Sequence, residues 1–216
     1  MQDSRRIFWP AIAGALLALT GLLVQFYVTF SSRQLPPLET VVRFFSFFTI
    51  LTNTLVAGYF LVRSLRPGSA AGRWAARPEV GTALTVYIVV VGLVYQTALR
   101  GLVPLAGAGI VADNIIHGLV PLYMFGFWLL VVSQQPVQLR TVPYWLLYPA
   151  AYLAYTLLRG PFASFYPYPF VDVGVLGYRQ VLVNSLLVLL ALLVISGLLG
   201  AFANWRYRRN LPTVPR

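Results

Sequence analysis

Residues 114–133, with the sequence NIIHGLVPLYMFGFWLLVVS, form an almost wholly apolar segment. A helix of about 20 residues spans the hydrocarbon core of a bilayer, so this segment predicts a transmembrane helix. It carries His117, the only histidine of the chain, near its first residue. An ionisable side chain is costly inside an apolar span, which favours a functional site facing the protein interior or a water-filled cavity. The alternative is a histidine that only hydrogen-bonds neighbouring helices.

Comparable apolar runs occur along the whole chain of 216 residues, which is 59% hydrophobic and 10% charged, with a mean hydropathy of +0.76. Ordinary soluble domains do not have this composition. We therefore predict an all-α polytopic membrane protein, a single domain over residues 1–216 that forms one bundle of six transmembrane helices. The predicted helices lie near residues 7–30, 41–63, 80–100, 114–133, 142–159 and 179–203.

Several kinds of chemistry are excluded by composition. The chain has no cysteine, which removes disulfides, thiolate nucleophiles and cysteine metal sites. A single histidine with scattered carboxylates makes no recognisable metal-ligand set, and no Walker or Rossmann glycine pattern is present. We expect no cofactor and no metal. All 16 basic residues are arginine, which together with the alanine, leucine, valine, glycine and proline content indicates a bacterial genome rich in G and C.

The net charge of +11 is explained by membrane orientation rather than by nucleic acid. Eleven arginines lie in the termini, in the 64–79 and 134–141 loops or at the adjoining helix ends, and five lie on the other side of the predicted bundle. The positive-inside rule then places both termini in the cytoplasm, in a cell (inner) membrane. The arginines of the 64–79 loop are expected to contact lipid headgroups, so membrane lipids are the predicted partners.

Asp113 and His117 stand four residues apart, a spacing that places both on one face of a helix, with Asn114 beside them. The predicted topology puts them near the outer side of the membrane. The second predicted helix carries Ser46, Thr49 and Asn53 on one stripe, at a depth that would let Thr49 meet His117. The alternative for each threonine is a hydroxyl that bonds back to the carbonyl one turn earlier.

The fifth predicted helix presents a polar stripe that ends in a cation at the outer boundary. Its members are Tyr144, Tyr148, Tyr152, Tyr155 and Arg159. We expect the tyrosines to hydrogen-bond within the bundle, and Arg159 to bind a carboxylate or to pair with Asp113 or Asp172.

The outer loop 160–178 contains Tyr166-Pro167-Tyr168-Pro169-Phe170. Each proline forces the residue before it into extended backbone, so this segment cannot be a transmembrane helix. Two interpretations remain, an aromatic belt at the membrane interface and a semi-rigid lid over a pocket that opens outward.

One chemistry fits what the chain does contain, namely a hydroxyl nucleophile with a histidine base, an orienting group and donors for an oxyanion. Three short motifs, in this order along the chain, resemble the androgen-induced integral membrane protein family and its bacterial relatives. They are Phe48-Thr49 with Asn53, His117 followed by Val120-Pro121, and Tyr168-Pro169-Phe170. The resemblance extends over nearly the whole chain. It implies six helices and a threonine hydrolase of fatty acid esters of hydroxy fatty acids, with Thr49 as nucleophile and His117 as base. Thr52 and Thr54 are competing hydroxyls on the same helix.

The leading hypothesis is a membrane-embedded lipid esterase that takes its lipid ester substrate laterally from the bilayer. In it, Asp113 orients His117, and an oxyanion or substrate carboxylate is held by a polar residue chosen from Asn53, Asn114 and Arg159. Tyr168, Pro169, Phe170 and Asp172 form the substrate lid.

Two hypotheses of other classes stand beside it. One is a lipid-binding or transport bundle in which His117, Asp113 and Arg159 bind an anionic headgroup or relay a proton. The other is a structural subunit.

Overall fold

Most of the chain that the structure describes is helical. The structure is a computed structural model that describes the backbone of residues 2–210 and the side chains of residues 7–210, and it contains no strand within that range. Five helices are long and apolar enough to cross a membrane: Ile7–Ser31, Phe48–Leu65, Pro78–Leu99, Ala108–Gln134 and Val173–Arg209. The prediction of a helical, multi-pass membrane protein is confirmed.

Ten α-helices are present among the described residues. They are α1 (Gln2–Ser31), α2 (Pro37–Phe44), α3 (Phe48–Leu65), α4 (Ala70–Ala75), α5 (Pro78–Val94), α6 (Ala108–Asn114), α7 (Val120–Leu130), α8 (Val142–Trp145), α9 (Leu147–Ala163) and α10 (Val173–Arg209). A first π turn (Tyr95–Leu99) extends α5, and a second π turn (Ile115–Leu119) joins α6 to α7.

The second predicted span, 41–63, is not one continuous helix. α2 ends at Phe44 and α3 begins at Phe48, so Ser46 lies in the break and not on a stripe with Thr49. The Ser46 carbonyl accepts a hydrogen bond from the Tyr152 hydroxyl at 2.9 Å. This contact from another helix replaces an intrahelical bond, which is why the chain can leave the helix here without an unsatisfied carbonyl.

The fourth predicted span begins earlier than expected, at Ala108, and contains the second π turn. Pro121 explains the turn, because proline has no N–H to give to the preceding turn. The Val120 N–H bonds to the Ile115 carbonyl, five residues back. The Ile116 carbonyl is therefore left without a partner from its own helix. His117 lies inside this turn rather than at the head of a helix.

The last two spans also differ from their predicted bounds. The fifth, expected over 142–159, is divided into α8 and α9, and α9 continues to Ala163. The sixth, expected over 179–203, runs from Val173 to Arg209, with Gly177 at a φ of 72° interrupting its first turns. Because that φ favours glycine, the sequence tolerates the interruption at this position. The outer loop is shorter than predicted as a result.

The core lies where α1, α3, α5 and α7 pack together. Its largest fully buried side chains include Phe60, Ile88, Met124 and Trp128. Gly14 on α1 allows the Phe60 ring to approach, since a Cβ at that position would lie 2.6 Å from the ring. Small residues that permit such close contacts are typical of helix interfaces in membranes. α3 is thereby fixed against α1 and α5, and it carries the first candidate residue.

Candidate functional site

Thr49 is the second residue of α3, where a helix has N–H groups without intrahelical partners. Its N–H donates to the Tyr168 hydroxyl at 3.1 Å, and its Oγ1 lies 3.2 Å from the same hydroxyl. Because the phenol oxygen accepts from the N–H, its proton is available for Thr49 Oγ1. Tyr168 therefore caps α3 from a segment 119 residues away in sequence.

The hydroxyls of α3 differ in how they are bonded. Thr54 Oγ1 donates to the Ile50 carbonyl at 2.8 Å, as expected for a threonine that bonds back within its own helix. Thr52 Oγ1 instead lies 3.0 Å from the Tyr148 hydroxyl, and Thr49 bonds to Tyr168. Two of the three candidate threonines thus reach across the bundle, and Thr54 does not.

A cavity of about 440 Å³ opens beside Thr49. It lies among α3, α5, α9, α10 and the segment before α10, and most of the side chains in its wall are aliphatic. Thr49 and Tyr168 contribute hydroxyls to this wall, together with Tyr152 and Ser185. Apolar cavities with a few polar groups are typical binding sites for apolar ligands.

The loop residues predicted as a lid divide between the cavity and the surface. Tyr168 is buried and Phe170 is half-buried, and both rings line the cavity, stacked with centroids 5.2 Å apart. Pro169 is exposed and begins a 3-10 turn. Asp172 caps α10 by accepting from the Val175 N–H at 3.3 Å. Burial raises the pKa of the Tyr168 phenol, which therefore stays protonated at neutral pH.

His117 has a different environment. Its Nδ1 lies 2.9 Å from Asp113 Oδ1, and both side chains are largely buried, with exposed fractions of 13% and 15%. A carboxylate accepts hydrogen bonds, which assigns the proton to Nδ1 and leaves Nε2 as the acceptor. The Tyr95 ring stacks on the imidazole, with centroids 3.8 Å apart and planes 8° apart.

Asn53 connects the two regions. Its Nδ2 donates to the Thr49 carbonyl at 2.9 Å and to the Ile116 carbonyl at 3.2 Å. The second acceptor is the carbonyl that Pro121 leaves free, so the proline and the amide are complementary. Asn53 is fully buried, and its Oδ1 has no partner among the described residues. The backbones beside Thr49 and His117 are therefore joined through one side chain.

The side chains of Thr49 and His117 are not joined directly. Within residues 7–210 no hydrogen bond links them, and His117 does not line the cavity. Thr49 contacts Tyr168, and His117 contacts Asp113 and Tyr95. Thr49 and His117 therefore each contact a polar side chain, but they do not contact each other through a hydrogen bond.

Two other predicted residues lie elsewhere. Asn114 is exposed and donates to the Ile110 carbonyl of its own helix at 2.9 Å. Arg159 donates to Ser46 Oγ at 3.2 Å and makes no ion pair with Asp113 or Asp172.

The tyrosine stripe of the fifth span hydrogen-bonds as expected at three of its positions. Tyr152 bonds the Ser46 carbonyl, Tyr155 lies 3.4 Å from Ser46 Oγ, and Tyr148 bonds Thr52. Tyr144 is 71% exposed and does not join them.

Sequence reasoning missed the role of Tyr95, whose stacking on His117 depends on the meeting of two helices. The signal that was available is its position on the polar outer part of the third span, at the same predicted depth as His117.

Comparisons with family models, with curated proteins and with solved structures found no match to this chain.

Proposed function

We propose that this protein is an integral membrane hydrolase of lipid esters, with Thr49 as nucleophile and His117 as general base. The observation that carries the proposal is the hydrogen-bonded pair of Thr49 and Tyr168 hydroxyls in the wall of a mainly apolar cavity. An acyl chain suits such a cavity, and its ester carbonyl would lie beside Thr49 Oγ1. The sequence resemblance to the androgen-induced family supports the same two residues.

The proposed reaction has two acyl-transfer steps. Thr49 Oγ attacks the ester carbonyl while His117 Nε2 takes the hydroxyl proton. Collapse of the tetrahedral intermediate breaks the bond to the alcohol oxygen, and His117 returns the proton to the departing alcohol. Water then attacks the acyl-threonine with His117 as base, which releases the carboxylic acid and restores Thr49.

Donors for the oxyanion are available next to Thr49. The Thr49 N–H donates to the Tyr168 phenol oxygen, and when the phenol moves aside both groups can donate to a developing oxyanion. They replace Asn114 and Arg159 in this role, because those side chains are bonded elsewhere.

His117 must approach Thr49 for the reaction to occur. Catalytic hydrogen bonds are often long or poorly aligned without substrate and tighten in the substrate complex. With the Tyr168 phenol donating to Thr49 Oγ1, the threonine's own proton is not engaged and can pass to Nε2 when His117 approaches. The Asn53 bridge, which ties the Thr49 and Ile116 backbones, limits how far the two residues can separate.

The proposal includes a membrane arrangement. α9 serves as the sixth span of a single bundle, and its 17 residues extend about 25 Å. The arginine asymmetry orients both termini toward the cytoplasm of a bacterial inner membrane. The cavity and His117 then lie toward the outer side.

A second candidate is a lipid-binding or transport bundle that performs no covalent chemistry. It is favoured by one observation, that His117 neither bonds Thr49 nor lines the cavity. In this case an acyl chain would occupy the cavity unchanged.

Turnover of a fluorogenic long-chain fatty acyl ester by the purified protein in detergent separates the two. The hydrolase proposal expects release of acid and alcohol by the wild type, and loss of at least about 10³-fold in Thr49→Ala and in His117→Ala. Thr54→Ala is the matched control and should retain activity, since Thr54 bonds only within its own helix. A folded wild type that binds the ester without converting it would overturn the hydrolase and support lipid binding.

A further inference from the structure

The stacked rings of Tyr95 and His117 form the tightest aromatic contact among the described residues. Their centroids are 3.8 Å apart, below the usual range of about 4.5 to 7 Å, and the planes are nearly parallel. The proposed reaction uses His117 but gives no part to Tyr95. The imidazole is thus contacted by a ring on one face and by a carboxylate at Nδ1.

The backbone around this contact is irregular on both sides. Tyr95 begins the first π turn, and His117 is the central residue of the second. π turns inside helices occur frequently at functional sites. Here the first π turn, at the end of α5, brings Tyr95 against His117 in the second π turn.

Gly92 allows that approach. A Cβ at Gly92 would lie 3.2 Å from the His117 carbonyl oxygen and 3.3 Å from the Pro121 ring, tighter than most side-chain contacts. The α5 backbone therefore rests directly on the turn that carries His117. Tyr95, three residues later on the same helix, is brought over the imidazole.

Asp113 and Tyr95 restrict different motions of the imidazole. The Asp113 carboxylate selects which nitrogen carries the proton, because only Nδ1–H can donate to it. The Tyr95 ring restricts rotation of the imidazole out of its plane. Nε2 makes no hydrogen bond to any described residue, so it remains the free acceptor.

We infer that Tyr95 is a positioning residue that holds the His117 imidazole with Nδ1–H on Asp113 and with Nε2 open to accept a proton. Its importance for catalysis rests on the proposed function, in which His117 is the base. The orientation itself is independent of any reaction and can be measured without a substrate.

The chain has one histidine, so ¹⁵N-histidine labelling reports His117 alone. Long-range ¹H–¹⁵N correlation spectra of the protein in detergent, at a pH where the imidazole is neutral, give the tautomer. Relaxation of the ring C–H groups gives the order parameter. We expect the Nδ1–H tautomer in about tenfold excess, since a hydrogen bond to a charged group has roughly that effect.

The Tyr95 variants test the role of the ring. Tyr95→Leu should lower the ring order parameter, because the stacking is lost. It should also lower the tautomer excess by about two- to tenfold, because an imidazole that rotates spends less time bonded to Asp113. Tyr95→Phe keeps the ring and should keep the wild-type order parameter, and it removes only the hydroxyl that lies close to Asp113. Tyr144→Leu, which removes a tyrosine that is 71% exposed, is the control and should match the wild type.

An unchanged tautomer and order parameter in folded Tyr95→Leu would overturn the inference, as would a wild type with the proton on Nε2. If Tyr95→Leu does not fold, the wild type supplies the test. Nuclear Overhauser contacts between the Tyr95 and His117 rings are expected, and their absence would refute the inference.

Labelling of the same variants with a fluorophosphonate probe separates this inference from the hydrolase. An ordered Nδ1–H imidazole that depends on Tyr95, in a protein that is never labelled, supports the positioning role and refutes the hydrolase. Labelling lost in Tyr95→Leu without any change in tautomer or order refutes the positioning role and leaves the hydrolase standing.

Discussion

Thr49 and His117 both place polar groups inside an apolar bundle, but their surroundings differ. Thr49 lies where α3 begins, beside a cavity of about 440 Å³, and its partner Tyr168 belongs to the segment between α9 and α10. His117 is packed between helices, with Asp113 in the preceding turn and Tyr95 across the interface. One region has space for a ligand, and the other has fixed rings.

This difference suggests a division of work. A hydroxyl beside a cavity can meet a substrate, and a hydrogen bond from a loop tyrosine can be exchanged for one to that substrate. In the proposed hydrolase, a histidine with a defined tautomer supplies a base whose proton-accepting nitrogen is set before it approaches Thr49. Each prediction below changes one region and leaves the other intact.

Among variants that keep both Thr49 and His117, the largest effect is expected at the carboxylate of the His117 region. Asp113→Asn should lower ester turnover by about 100-fold or more, because the amide can also donate to Nδ1 and stabilise the wrong tautomer. Asn114→Ala, at the next residue, is the control and should have no effect, since Asn114 is exposed. Equal turnover in the two variants would show that Asp113 has no role in the reaction.

In the Thr49 region the corresponding change is Tyr168→Phe, which keeps the ring and removes the hydroxyl. Turnover should fall by about 100-fold, as for the loss of one oxyanion donor. Tyr178→Phe, at an exposed tyrosine, should retain activity. The deficit should be the same across neutral pH, because burial raises the pKa of Tyr168 and keeps the phenol protonated. Full activity in Tyr168→Phe would leave Tyr168 as a helix cap only.

Packing should distinguish the regions by stability. Gly92→Ala forces a Cβ against the His117 carbonyl and the Pro121 ring, whereas Gly58→Ala, within α3, meets no atom within 4 Å. We expect Gly92→Ala to be less stable than Gly58→Ala by about 1–3 kcal/mol, the usual effect of overpacking. Thermal unfolding in detergent measures the difference. Equal stabilities would contradict a close approach of α5 to the second π turn.

The smallest effect concerns the second hydroxyl pair of α3. Thr52→Val and Tyr148→Phe each remove one partner of a 3.0 Å contact. A double-mutant cycle should give a coupling of about 0.6 kcal/mol, typical of hydrogen bonds between membrane helices. Turnover should be unaffected. A loss of turnover as large as in Thr49→Ala would make Thr52 the better candidate nucleophile.

The sequence predicts a helical chain with several long apolar helices, because apolar length is a local property. The apolar segment 114–133 suggests one continuous helix, so the second π turn was not predicted. Its cause is nevertheless visible in the sequence, since Pro121 removes one helical N–H donor. The break at Ser46 is not predictable from local pattern, because Tyr152 and Arg159 stabilise it from another helix.

In the candidate site too, local contacts are predictable from the sequence and contacts between distant segments are not. Sequence reasoning selects Thr49, His117, Asp113 and Tyr168, and the i, i+4 spacing predicts the Asp113–His117 contact that is observed. The bond between Thr49 and Tyr168 spans 119 residues, so only the tertiary fold defines it. The sequence places Tyr95 at the predicted depth of His117 but does not predict its stacking, because that contact requires the two π turns to face each other.

The most direct test of the central claim is to locate the covalent adduct formed by a fluorophosphonate probe on the purified protein. Peptide mass spectrometry should find the phosphonyl group on Thr49 in the wild type and on no residue in His117→Ala, since attack by the threonine oxygen with loss of fluoride requires the base. An adduct on Thr52 or on another hydroxyl, or a folded wild type that forms none, would contradict the account.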